Sequence, residues 1–187
     1  MSLVWIVIAV LLAVILYLVV LFNRLVRLRN LAREGWSGID VQLRRRTDLI
    51  PNLVDTVKGY AAHERALFEE VARKRASSIA ADNVTGQAAA ERELQGSLGR
   101  LMALAEGYPA LKADQNFLKL QEQLADIEGQ LQMARRYYNG TARNLNVAIQ
   151  SFPNSLVAHP FGFQEAAYFE LGDRAEADAP QVSLARS

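Results

Sequence analysis

The strongest constraint on folding lies at the start of the sequence. From Leu3 to Phe22 every residue is apolar or aromatic, with no charge, glycine or proline. Twenty residues at about 1.5 Å each span roughly 30 Å as a helix, the thickness of a bilayer's hydrocarbon core. A secretory leader has a basic beginning, a shorter apolar stretch and a small-residue cleavage site. Only Met1 and Ser2 precede this run, and Asn23-Arg24 follows it. The expectation is a retained transmembrane anchor over residues 1–22. Trp5 and Tyr17 suit positions near a membrane interface, and Ala9 with Ala13 permits close helix approach.

The flanking charge predicts an orientation. Arg24, Arg27, Arg29 and Arg33 follow the run and no basic side chain precedes it. Excess cytoplasmic arginine would put the N-terminus outside and the large domain in the cytoplasm. The same four arginines lie close enough to anionic lipid headgroups to be attracted by them. Charge is uneven elsewhere too: residues 23–50 hold seven Arg against three acids, and 154–187 two against five. With a net charge of +1, nucleic acid is not an expected partner. The absence of cysteine removes disulfides, thiolate metal sites and cysteine nucleophiles.

Beyond the membrane run the helical period continues through Leu25, Leu28, Ala32, Ile39 and Leu43. Ile50-Pro51 is the first expected break, because proline disfavours helix in the residue before it. Gly35 and Gly38 weaken this first helix locally. A second helix is predicted from Pro51 to about Ala80, a loop at Asp82–Gly86, and a third helix from Gln87 to Gly107. The fourth carries the clearest pattern: Phe117, Leu120, Leu124, Ile127, Leu131, Ala134, Tyr138, Thr141, Leu145, Ala148 and Phe152 alternate spacings of three and four. That is a heptad seam of coiled-coil type. Short connections favour antiparallel neighbours. The predicted fold is all-α: one transmembrane helix continuous with a long antiparallel, four-helix-type bundle over 23–153. An apolar segment at 154–172 is expected to dock on a helix or a neighbouring subunit, and a disordered tail to occupy 173–187.

Ordered strings along the chain resemble the LemA family of bacterial membrane proteins. They include Leu28-Arg29-Asn30, Trp36-Ser37, Ile39-Asp40-Val41-Gln42-Leu43, Asp48-Leu49-Ile50-Pro51-Asn52-Leu53-Val54 and Val57-Lys58-Gly59-Tyr60-Ala61. His63-Glu64, Tyr108-Pro109, Leu111-Lys112-Ala113, Asn116-Phe117, Tyr138-Asn139, Phe152-Pro153 and Tyr168-Phe169-Glu170 continue the match, which covers about residues 17–171. The resemblance implies a single-pass membrane protein with a helical bundle and no assigned reaction. One branch of the family is associated with magnetosome membranes, and members are discussed beside membrane proteases. Two departures stand out: Gly35 where alanine is usual, and His159-Pro160 interrupting the tail motif.

Residues able to carry chemistry are few. His63 beside Glu64 is read as an adjacent pair on a helix, whose side chains point about 100° apart and cannot address one substrate. No Glu-x-x-His metal pattern, phosphate loop or Ser-His-Asp set occurs. No catalytic residue, cofactor, metal or small-molecule substrate is expected. Arg44-Arg45-Arg46 stands about 33 Å along a straight helix from Phe22, beyond the reach of headgroups. Structural pairing with Asp48 or Asp55, or contact with a partner, is expected there. Asn30, Asp40, Gln42, Asn52, Gln121 and Asn139 sit in core-like motifs and are read as setting helix register. Candidate protein contacts are Arg44, Arg45, Arg46, Phe161, Phe163, Tyr168 and Phe169. These features favour a structural protein that self-associates at the membrane. The alternative is an adaptor that recruits another membrane protein, such as a protease.

Overall fold

A computed structural model describes residues 2–170; the expected tail at 173–187 lies outside them. Six helices follow in order: α1 Ser2–Lys58, α2 Arg65–Ala80, α3 Val84–Glu106, α4 Pro109–Lys112, α5 Gln115–Gln150 and α6 Ser155–Ala158. No strand occurs among the described residues, as the all-α reading requires. The chain divides into two units, one holding Lys119–Tyr168 with the chain up to Leu49, the other Ile50–Leu118 with Phe169.

In the first unit α1 and α5 pack antiparallel. Arg46 meets Glu128, and Gly35 meets Tyr138. Leu21 and Leu25 share a core with Leu145, Ala148 and Ile149. The heptad reading of α5 accounts for this face: Ile127, Leu131, Tyr138, Thr141, Leu145 and Ala148 are all buried. Its last predicted member is not, because α5 ends at Gln150 and leaves Phe152 80% exposed. Gly35 is a contact rather than a weak point. A Cβ there would stand 3.0 Å from the Tyr138 Cα and 3.2 Å from the Thr141 hydroxyl, a contact tight enough that the neighbouring helix would have to give by a few tenths of an ångström. Trp36 closes the same crossing, 5.5 Å from the Tyr138 ring.

The chain after α5 folds back onto this pair. Val157, Ala158 and Phe163 enter the core beside Leu21 and Leu25. The Asn146 amide then takes both backbone groups of Ala166, donating to its carbonyl at 2.9 Å and accepting from its N–H at 2.8 Å. The Tyr138 hydroxyl donates to the Ala167 carbonyl at 2.6 Å, and Gln150 to Glu165 at 2.8 Å. The Asn146 and Tyr138 bonds satisfy polar groups that packing would otherwise strip of water. The segment expected to dock thus docks on its own chain.

In the second unit the expected break at Ile50-Pro51 is absent. Pro51 lies inside α1, which continues to Lys58. Ile50, Leu53, Val54 and Val57 are buried on successive turns. Burial of four such side chains, at about 1.5–3 kcal/mol each, outweighs the roughly 3 kcal/mol cost of an interior proline. The true interruption is Gly59–Glu64, so the predicted helix from Pro51 to Ala80 is two pieces. His63 and Glu64 lie exposed in that connection, not on a helix.

Helices α2 and α3 form an antiparallel hairpin. Asn83 caps α3, its side-chain oxygen accepting from the Gly86 N–H at 2.8 Å. Ion pairs Lys74–Glu93 and Arg100–Glu70 cross the hairpin's surface. On the loop side of both pairs Glu91 is fully buried, accepting from the Ser78 hydroxyl and, at 3.1 Å, from the Gln87 amide. Pro109 opens α4, where its missing N–H costs nothing. Asp114 starts α5: its carboxylate accepts from the N–H groups of Asn116 at 2.8 Å and Phe117 at 3.1 Å, and from the Tyr60 hydroxyl at 2.9 Å. These bonds hold the Asp114 carboxyl below the usual carboxylate range, Phe117 contributing most. The same bond, made to a carboxylate, is the main reason the Tyr60 phenol is pushed up.

Candidate functional site

The feature with no internal account is the first third of α1. Every side chain from Leu3 to Val20 is exposed, including Trp5 at 68% and Tyr17 at 51%. Packing begins abruptly at the next residue, Leu21, which is 5% exposed. Sequence reading drew the apolar run to Phe22, whereas Leu21 and Phe22 belong to the helical core. Eighteen residues at about 1.5 Å each still span roughly 27 Å. Among the described residues, this is the one helix long and apolar enough to cross a membrane.

The arginines that follow divide by contact. Arg24, Arg27 and Arg33 are exposed. Arg29 is half-buried, its guanidinium carbon 5.0 Å from the centre of the Phe163 ring. The triple arginine is likewise split between exposed and buried members. Arg44 pairs with Asp40 one turn back at 3.0 Å, and Arg45 reaches Gln130 on α5 at 3.4 Å. Arg46 is buried, at 3.0 Å from Glu128. Asp55 lies 3.7 Å from Lys58 instead. Two exposed arginines followed by a buried one is what the 100° step of a helix allows, a signal the bare run Arg-Arg-Arg conceals.

Of the aromatic candidates, Phe163 and Phe169 are buried, while Phe161 and Tyr168 are exposed. Phe161 and Phe163 both lie edge-on to Phe22, at 5.2 and 5.7 Å between ring centres. Sequence reasoning listed Phe161 and Phe163 as contacts but did not join them to the first turn of the core. It also missed Asn146, Glu91 and Gln87 as buried polar residues, and placed Asn30 and Asn52, which are exposed, among the core. A shallow groove on the first unit is lined by Arg45, Asp48, Leu49, Gln123, Asp126 and Ile127. Among the described residues no group of three or more His, Asp or Glu is placed to hold a metal ion.

One long apolar helix without partners, running on into antiparallel helical packing, defines an all-helical, membrane-associated protein. The chain belongs to the LemA family, whose sequence profile matches residues 35–184. It is 27% identical to the magnetosome protein MamQ of Magnetospirillum gryphiswaldense, over 92% of this chain and 72% of that one. MamQ 2 of Paramagnetospirillum magneticum is 25% identical over 91% of this chain and 72% of its own length. Protein LemA of Metamycoplasma hominis is 25% identical over 87% and 74%.

Proposed function

We propose that this chain is a non-enzymatic membrane scaffold: α1 anchors it in the bacterial cytoplasmic membrane, its helical part lies in the cytoplasm, and copies associate to organise the membrane. The observation that carries the reading is the switch in α1 between Val20 and Leu21. One continuous helix has no partner on its apolar side until that point and is tightly packed after it. A soluble protein would leave eighteen apolar residues in water at a cost no domain tolerates. Lipid is the partner that removes the cost. The four arginines that follow the run favour the cytoplasmic placement.

Support for assembly is of a different kind. The heptad seam of α5 is consumed inside the chain, so copies must meet elsewhere. Exposed Met133 and Val147 on the outer side of α5, and the Ala9–Ala13 pair in the apolar run, are the available surfaces. The magnetosome name of the MamQ relatives fits a role in shaping or organising membrane. Light scattering of the detergent-solubilised full chain, with electron microscopy of the same sample, tests assembly. A mass of several chains in regular particles supports it; a monodisperse mass of one chain contradicts it.

A further inference from the structure

We infer that the turn at residues 152–161 is a second membrane contact, in which Phe152, Leu156 and Phe161 insert into the headgroup boundary of the bilayer that α1 crosses. This rests on the anchoring of α1 just proposed. The turn is held at the level where α1 leaves the apolar run: Val157 and Ala158 pack in the core with Leu21, and the Phe161 ring touches Phe22. Phe22 stands two residues past Val20, or about 3 Å along the helix axis. A group in contact with it lies at the membrane boundary.

The three side chains have no reason to face water there. Phe152 is 80% exposed, Phe161 65% and Leu156 63%, all within ten residues whose intervening Val157 and Ala158 are buried. Clustered exposure of large apolar groups marks a surface that is covered in use. Charge identifies the cover as lipid. No aspartate or glutamate occurs before Glu34 or between Gly129 and Phe163, while Arg24, Arg27 and Arg143 are exposed in those same stretches. An apolar turn with arginines around it, and with the Glu165 carboxylate tied to the Gln150 amide at its edge, has the composition of an interfacial contact with anionic lipid.

The sequence has no cysteine, so each single substitution creates one labelling position. Full-length Phe152→Cys, Leu156→Cys and Phe161→Cys chains, labelled with an environment-sensitive fluorophore, are reconstituted into phosphatidylcholine–phosphatidylglycerol vesicles. Lipids spin-labelled near the headgroup or deep in the acyl chain serve as quenchers. Leu11→Cys reports the apolar run and Gln132→Cys the exposed side of α5. The expected result is blue-shifted emission and loss of intensity to the shallow quencher at all three positions. Leu11→Cys should respond to the deep quencher and Gln132→Cys to neither. If Leu11→Cys is quenched but the three behave like Gln132→Cys, the second contact is overturned and the anchor stands. If Leu11→Cys is unquenched as well, the anchoring of α1 fails and takes the inference with it.

Discussion

Three residues hold the helical packing in place through different physics. Gly35 does so by what it lacks: with no Cβ it lets α1 approach the backbone of α5 at Tyr138. Gly35→Ala improves helix propensity by up to about 1 kcal/mol but forces an overpacked contact costing about 1–3 kcal/mol. The expected net effect is a lower thermal midpoint, by about 1 kcal/mol in stability, read by circular dichroism. Asn146 acts through hydrogen bonds, and Asn146→Leu leaves the Ala166 N–H and carbonyl unpaired at about 1–3 kcal/mol. Faster amide exchange across 163–168 is the accompanying signature, and unchanged protection there would contradict the role given to Asn146. Asp114 acts through charge. Its pKa is lowered in the folded state, so its contribution is fully present above the unfolded value of about 3.9 and is lost as pH falls through the lower folded value. Asp114→Asn, which cannot titrate, should therefore flatten the fall of thermal midpoint on acidification below about pH 4 relative to the parent chain.

At the scale of elements, α1 is the informative helix. It passes through Pro51, whose ring removes a backbone bond to the Thr47 carbonyl four residues back. Pro51 is exposed, so Pro51→Ala restores the bond without disturbing the core. A gain of about 1–2 kcal/mol is expected after allowing for the looser unfolded chain, measured by thermal or denaturant unfolding. A loss would mean that the proline sets a bend the packing needs. The same residue shows where sequence legibility ends. Local preference at Ile50-Pro51 argued for a break, and four buried side chains overruled it. The break at Gly59–Glu64 carried only a single glycine as a local mark. By contrast α3 and α5 were readable nearly to their ends, since Leu94 to Leu104 and Phe117 to Ala148 carry sustained apolar spacing. Phe152 continued that spacing and yet lies outside, because periodicity says nothing about where a helix stops. The polar core was largely illegible. Glu91 is buried against Ser78 across the hairpin and Asn146 against Ala166 beyond α5, while Asn30 and Asn52 sit in core-like strings but face solvent.

For the whole molecule, the account turns on the division of α1 into a stretch that packs on nothing in the chain and a stretch that packs from Leu21 onward. Two consequences follow together. Removing residues 2–20 should leave helical content and thermal unfolding of the remainder nearly unchanged, because no internal contact is lost. The same removal should also release the chain from the membrane, since the apolar turn at 152–161 alone is too small to resist extraction. Alkaline extraction of membranes from cells making either form, followed by circular dichroism of the released truncated chain, measures both at once. The account requires the full chain to stay with the membranes, and the truncated chain to appear in the supernatant folded. A full chain stripped by alkali, or a truncated chain that comes off unfolded, would contradict it.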